Sequence, residues 1–498
     1  MHKKFRGNKT YILFFASIAT ALVTIDLACI SVALPKMLGY FSATKIEIAW
    51  IITVYSISTA ICIPTLGYLS AKIGRKKIYI IGIIGFTIFC ALSGMSQNLD
   101  QILIFRTLQG VFSAPLVALS QSIIIDSFPE KERGKAISWW TMGLLIGPLM
   151  GPILGGYLTE NYNWRWVFFI NVPIGIISLI GCILSLEENK TNNKASFPFL
   201  SFIFLAIGAS CMQIVLDRGQ ILDWFNSNFI IYLTISAILF LIFFICLFFR
   251  KTSKNLFPKE LFFDSNYIAG LIFVFLFGII LVPPFILMPD FLFSLGGYPV
   301  DKIGLILTYS GVGGLIGSLI STRVLKYPYY KTFMIFGLLI YMFGQYHMSL
   351  WTADISTFNM MTNGIIRGIG IGFFYPAMAT ATYTTLPANL RDHGTSLFQF
   401  TRNAGSAITI AIIVVVMDRY TKINNYELSS RITSTYQNND SLNRSYPLNP
   451  LNIDNLNYFI NIVLQQSHMI TLINIFILLA LLPLIFFPFF LLFKNKDK

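Results

Sequence analysis

The chain is a succession of apolar runs, each about 20 residues long, separated by short polar and basic connections. A helix of that length crosses the roughly 30 Å hydrocarbon core of a bilayer. Lipid offers the backbone no hydrogen-bonding partner, so each run has to satisfy its own N–H and C=O groups and therefore coils into a helix. Such runs lie near 12–34, 48–70, 78–97, 101–124, 136–158, 165–186, 197–216, 228–249, 267–291, 303–325, 332–351, 357–384, 396–417 and 468–493, fourteen in all. Pro283, Pro284, Pro289 and Pro299 blur the end of the ninth. Only 12% of the residues are charged, about half of what a soluble chain carries. The expected class is an all-α integral membrane protein.

A net charge of +14 would suit a nucleic-acid binder if the basic residues formed one patch. They sit instead in short clusters between apolar runs: Lys3, Lys4, Arg6 and Lys9; Lys72, Arg75, Lys76 and Lys77; Lys131, Arg133 and Lys135; Lys190 and Lys194; Arg250, Lys251, Lys254 and Lys259; Arg323, Lys326 and Lys331. With the N-terminus in the cytoplasm, most of the 36 lysines and arginines fall on the cytoplasmic side. This obeys the positive-inside rule and places both termini inside. No nucleic-acid partner is expected. The first apolar run continues to Pro35 without a small-residue cleavage site, so it reads as a retained span and not as a signal peptide. Residues 418–467, rich in Asn, Ser and Tyr, read as an external polar loop.

Span five contains Gly143, Gly147, Gly151 and Gly155 at steps of four, with Pro148, Pro152 and Gly156 among them. Positions four apart share a helix face, and a face without side chains admits another helix closely. The prolines remove backbone donors and are expected to bend the helix. The face is either a packing groove or a seal between two halves of the molecule. Span ten offers Gly313, Gly317 and Ser321 at the same spacing, and these two faces are expected to meet. After span two, Gly67, Lys72, Gly74 and Arg75 form a tight basic turn, which either fixes topology or latches a gate.

Spans four and twelve repeat one another. Arg106 and Arg367 each precede a proline by nine residues, Pro115 and Pro376, and each span ends in a Pro- and Arg-bearing connection, Pro129–Gly134 and Pro387–Gly394. Matched halves mark a rocking transporter with its site between them. Six spans, two additional spans and six more then give 1–190 and 261–498 as bundles, with 191–260 as the inserted pair and linker.

Of the 22 acidic residues, Asp26 alone lies well inside a span; Asp217 and Asp290 lie at span ends. A charge within the bilayer is expensive and usually functional, and a carboxylate withdrawn from water favours its neutral form. Asp26 is therefore the expected proton-binding residue or one half of a structural ion pair, with Arg106 as the opposing charge. Gln109, Arg367, Arg402 and Asn403 are further polar groups inside spans. The six cysteines lie in apolar runs without CxxC spacing, and the four histidines show no ligand spacing, so no metal is expected.

Together these residues resemble the major facilitator superfamily. The span-five run matches its antiporter motif, residues 67–77 its loop motif, and Arg106 to Gly110 its span-four arginine motif. Asp26 with Val32-Ala33-Leu34-Pro35, and the segment from Trp164 to Gly175, resemble the fourteen-span drug:proton antiporters of the EmrB/QacA type. The resemblance implies the major facilitator fold, with two six-helix bundles and two extra central helices. It also implies export of hydrophobic small molecules by alternating access, driven by the proton gradient without a cofactor. It gives Arg106 a part in proton coupling. It implies a location in the inner (plasma) membrane and, for a two-membrane source, a periplasmic adaptor and an outer-membrane duct. The loop motif usually has aspartate where this chain has Ala71, which leaves Asp126 as the partner for Arg75. Export of one native metabolite, such as a siderophore or lipid-like compound, is the alternative. A membrane enzyme or receptor is remote, because no catalytic cluster, phosphate-binding loop or soluble sensory domain is present.

Overall fold

The structure, a computed structural model, describes residues 7–187, 197–250, 255–325, 329–352, 354–438 and 453–494. Among the basic residues used to orient the chain, Lys3, Lys4, Arg6, Lys190, Lys194, Lys251, Lys254 and Lys326 lie outside the described residues, as does the boundary at 190/191. The described residues contain helices and no strand. In order, the longer α-helices are α1 (Lys9–Phe41), α2 (Trp50–Cys62), α3 (Leu66–Ile73), α4 (Arg75–Met95), α5 (Leu99–Ser127), α6 (Glu130–Asn161), α7 (Asn171–Ser185), α8 (Phe199–Arg218), α9 (Asn228–Phe249), α10 (Ser265–Leu281), α11 (Pro283–Ser294), α12 (Val300–Val324), α13 (Tyr330–Ser349), α14 (Thr357–Thr382), α15 (Arg391–Asn438) and α16 (Ile453–Leu481).

Among the described residues, twelve helical stretches are long and apolar enough to cross a membrane. Two more, α13 and α14, have the length but carry Lys331, Gln345 and His347, or Asn359, Asn363 and Arg367. Helices α1–α7 pack on one another, as do α10–α16, while α8 and α9 pack chiefly as a pair. The connections 73–75, 127–130 and 382–391 share one end of the bundle, termed here the basic end.

Chain chemistry explains the local breaks. Span two is interrupted by a 3-10 turn at Ile63–Thr65, seeded by Pro64. Gly74 adopts φ +103, a conformation that L side chains rarely adopt, and it ends α3 so that α4 can start at Arg75. Pro283 and Pro284 separate α10 from α11. Pro284 has no N–H to give to the carbonyl four residues back. That carbonyl, on Ile280, accepts instead from the Tyr341 hydroxyl at 2.7 Å. By contrast, α6 continues as one helix through Pro148 and Pro152.

Two expectations are corrected. Residues 418–438 and 453–467 are helical extensions of spans thirteen and fourteen, not a loop; residues 439–452 lie outside the described residues. No glycine or proline occurs between Gly405 and Asn438 to stop α15. Polar pairs one turn apart support it, including Lys422 to Asp418 at 2.7 Å. Asn424 donates across to Thr471 of α16 at 2.9 Å. The two glycine faces do not meet either. A Cβ on Gly143 would stand 2.6 Å from the carbonyl oxygen of Ser17, and one on Gly155 would stand 2.9 Å from that of Cys29. Gly147 and Gly151 abut Thr24 and Ala28, so the whole face is filled by α1 of the same bundle. Gly317 and Gly313 are filled by Ile369 and Ile365 of α14, and Ser321 bonds the Gly372 carbonyl at 3.1 Å. Helices α6 and α12 do touch, through other residues: Gly311 lies under Leu149, Gly314 under Leu145 and Gly304 under Pro152.

The α1–α6 contact sets a stability prediction. Gly151→Val forces a branched side chain against Ala28 and should cost about 1–3 kcal/mol, seen as a lower midpoint of thermal unfolding in detergent. Gly156→Ala, whose Cβ meets nothing nearer than Val32 at 4.0 Å, should melt like the parent.

Candidate functional site

The first cluster forms where α1, α2, α4, α5 and α7 converge. Asp26 and Arg106 are fully buried, and their carboxylate and guanidinium lie 2.7 Å apart. Neither charge has water to solvate it, so each depends on the other and on the hydrogen bonds around them. Arg106 donates to the Gln109 side-chain oxygen at 2.7 Å, and the Gln109 amide donates to Asp26 at 3.2 Å, closing a triangle. Gln109 reaches the carboxylate because it lies one turn beyond Arg106 on α5. Asn171 of α7 donates to Asp26 at 3.4 Å, and the Cys90 thiol of α4 lies 3.6 Å from it. The guanidinium is 4.2 Å from the centre of the Tyr55 ring, a cation–π arrangement. One Arg106 nitrogen, the Tyr55 hydroxyl and the Asn171 side-chain oxygen have no hydrogen-bond partner.

The second cluster lies at the basic end and joins the two sets of helices. Arg75, on the first residue of α4, contacts Asp126 at the end of α5 at 2.6 Å. It also contacts Asp392, in the first turn of α15, at 2.7 Å. Arg391 pairs with Asp126, and Ser122 with Asp392; Ser70 donates to Asp392 at 2.7 Å. Two arginines and two aspartates thus form a neutral chain of ion pairs, Asp392–Arg75–Asp126–Arg391, with one of each from either set; the peptide bond between Arg391 and Asp392 closes it into a ring. Gly67 is required nearby, since His393 occupies the place a Cβ would take. Lys72 does not join the ring; its ammonium lies over the Tyr68 ring at 5.7 Å.

The sequence placed Asp26, Arg106, Gln109, Arg75 and Asp126 among the candidates, and the structure brings them into these two clusters. It does not join Arg367, Arg402 or Asn403 to either. Arg367 donates to Asn363 at 2.9 Å, and Arg402 to Asn403 at 3.4 Å. Sequence reasoning missed Tyr55, Cys90 and Asn171, which are ordinary span residues until α2, α4 and α7 converge. It also missed Asp392, although the Pro387–Gly394 repeat contained it. A further pair, Asp290 with His468 at 2.8 Å, links α11 to α16.

Two sets of packed helices, an ion pair buried within one and a ring of charges across both at one end, are the architecture of a membrane carrier. The chain belongs to the Major Facilitator Superfamily, whose sequence model matches residues 16–410. It is 30% identical over 424 residues to the probable multidrug resistance protein EmrY of Escherichia coli K12, covering 84% of this chain and 81% of that one. It is 29% identical over 434 residues to the multidrug export protein EmrB of the same strain, covering 86% and 84%. The fold is similar to the crystal structure of the human organic anion transporter MFSD10, with a TM-score of 0.64 at 11% identity, covering 98% and 100% of the two chains.

The ring predicts how closure at the basic end responds to charge. Asp392→Asn removes a carboxylate from both Arg75 and Ser122. Amide hydrogen exchange in α3 and the first turns of α15 should then speed up by about tenfold, the equivalent of ~1.4 kcal/mol. Unchanged exchange in both segments would mean that the ring does not hold the end closed.

Proposed function

We propose that the protein is a proton-coupled exporter of hydrophobic or amphipathic small molecules, working by alternating access, with Asp26 as the proton site. The observation that carries this reading is the Asp26–Arg106 pair, fully buried in the first bundle. Protonating Asp26 would strip Arg106 of its counter-charge, leaving the guanidinium to Gln109, the Ile51 carbonyl and the Tyr55 ring. Breaking a buried pair in this way costs about 3–5 kcal/mol. That cost is enough to favour a second arrangement in which water reaches the arginine. Proton binding is thereby tied to which side of the carrier is open.

The ring of Arg75, Asp126, Arg391 and Asp392 supplies the gate, because it must come apart for the basic end to open. The α1–α6 glycine contact keeps the first bundle rigid while it moves. The names of the relatives EmrY and EmrB support multidrug export as the task. The fourteen-span topology, both termini in the cytoplasm, the bundle limits 1–190 and 261–498 and an inner-membrane location complete the reading. A periplasmic adaptor and an outer-membrane duct would be its partners in a two-membrane cell.

The test is dye export in inverted vesicles with an imposed pH gradient. Asp26→Asn should abolish pH-driven export in a protein that still folds, with a lowered thermal unfolding midpoint because Arg106 loses its counter-charge. Undiminished, pH-dependent export by that variant would remove Asp26 from the mechanism.

A further inference from the structure

His393, the third residue of α15, takes no part in the ion pairs of the charged ring, yet three parts of the chain meet on its imidazole. From the first set, Gly67 of α3 lies against the ring: a Cβ there would stand 2.3 Å from Nδ1 and 2.5 Å from Cγ. The second set supplies the histidine itself. The third part is the segment 255–263 that follows α9, whose Leu256 carbonyl accepts a hydrogen bond from the imidazole. Leu256, Phe257 and Leu261 are buried in the core, which holds that carbonyl in place. Nδ1 is closed off from solvent and has no hydrogen-bond partner. The bond to Leu256 is therefore made by Nε2, and the neutral ring carries its proton there.

A second proton has to go to Nδ1, where nothing accepts it. A buried N–H without a partner is costly, and a buried charge without a counter-ion more so. The nearby carboxylates are already engaged: Asp392 by Arg75, Ser70 and Ser122, and Asp126 by Arg75 and Arg391. The ring is neutral, so an imidazolium beside it is a charge in surplus. The other titratable groups around this end face elsewhere. Lys72 of α3 lies over the Tyr68 ring, Lys259 over the Phe248 ring at 5.9 Å, and the Tyr267 hydroxyl of α10 donates to the Gly394 carbonyl at 2.8 Å. Asp217, Arg218, Asp290 and His468 belong to the opposite half of α15, where Gln220 meets Asp418 and Asn424 meets Thr471. His393 precedes span thirteen, and burial holds its imidazole below the ordinary histidine range, with Asp392 opposing.

We propose that His393 is an acid-sensitive catch on the basic end, shut while its imidazole is neutral and released when Nδ1 takes a proton. Separation of α3 from α15 gives Nδ1 access to water, so the open arrangement binds this proton more readily than the closed one. By linkage, falling pH then favours opening. The catch also ties the segment that follows the inserted pair to the gate, through Leu256. The inference rests on the reading of the charged ring as a gate. It concerns a different proton from the one at Asp26, and with the basic end in the cytoplasm it makes the gate respond to internal acidification.

The test is amide hydrogen exchange of the full-length protein in nanodiscs at about pH 7.5 and about pH 5.5, either side of the ordinary histidine value of about 6.5. Labelling times are scaled to cancel the intrinsic pH dependence of exchange. In the parent, protection of α3 and of the first turns of α15 should be about tenfold lower at the acid pH, while the middle of α13 stays unchanged. His393→Gln, which can still donate to the Leu256 carbonyl, should hold its protection within about twofold across the same range. Equal protection of the parent at both pH values would overturn the proposal, as would a full acid response in His393→Gln. Should that variant not fold, nitrogen-15 histidine NMR of the parent decides. His393 must stay neutral wherever α3 is protected, and an imidazolium in the protected state overturns the proposal. Asp392→Asn at the higher pH separates the two readings. If it loosens α3 and acid does not, the gate stands and the catch is removed. If acid loosens α3 through His393 and Asp392→Asn does not, the catch stands and the ring is not the gate.

Discussion

A charge inside a bilayer has to be answered, and the ways this chain answers its own charges organise everything else. Asp26 and Arg106 come from α1 and α5, eighty residues apart, and cannot be left separately in a dry interior. Their meeting fixes how α1 and α5 lie against each other, and it draws Gln109, Asn171 and Tyr55 into one polar island. The ring of Arg75, Asp126, Arg391 and Asp392 solves the same problem between the halves. There the side chains keep 10–24% of their surface exposed, so these pairs sit at the edge of water and not wholly away from it.

The backbone has no such freedom. Helices in lipid cannot fray toward water, so intimacy between them comes from missing side chains. The α1–α6 and α12–α14 contacts are both built that way, with glycine on one side and backbone on the other. Their location within the bundles is consistent with each bundle moving as a body. The contact between bundles, α6 on α12, is made by Leu145, Leu149 and Pro152 over Gly314, Gly311 and Gly304.

Much of this was legible in the chain itself. Apolar runs gave the helices, because only helices satisfy the backbone in lipid. Asp26 and Arg106 stood out because charge is rare in such runs. Asp126 could be matched to Arg75 because each ends a span on the basic side. Glycine spacing in span five marked a close contact but carried no address: Ser17, Thr24 and Ala28 on α1 have no pattern that announces them as its partners. Asp392 was hidden for a related reason, since its role depends on α3, α4, α5 and α15 arriving at one point. Residues 418–438 looked like loop because a polar helix clear of lipid lacks the apolar stripe by which helices are recognised.

That last helix has a mechanical meaning. The same α15 that bears Arg391 and Asp392 in its first turn runs for 48 residues, about 72 Å at 1.5 Å per residue, more than twice the thickness of the hydrocarbon core. If the proposed gate opens, the helix would act as a lever rooted in the ring. A tilt of ten degrees about its base would sweep the tip sideways by about 12 Å, carrying with it the stretch of α16 joined through Asn424 and Thr471. Opening at one face of the membrane would then be written in the position of a rod standing clear of the other.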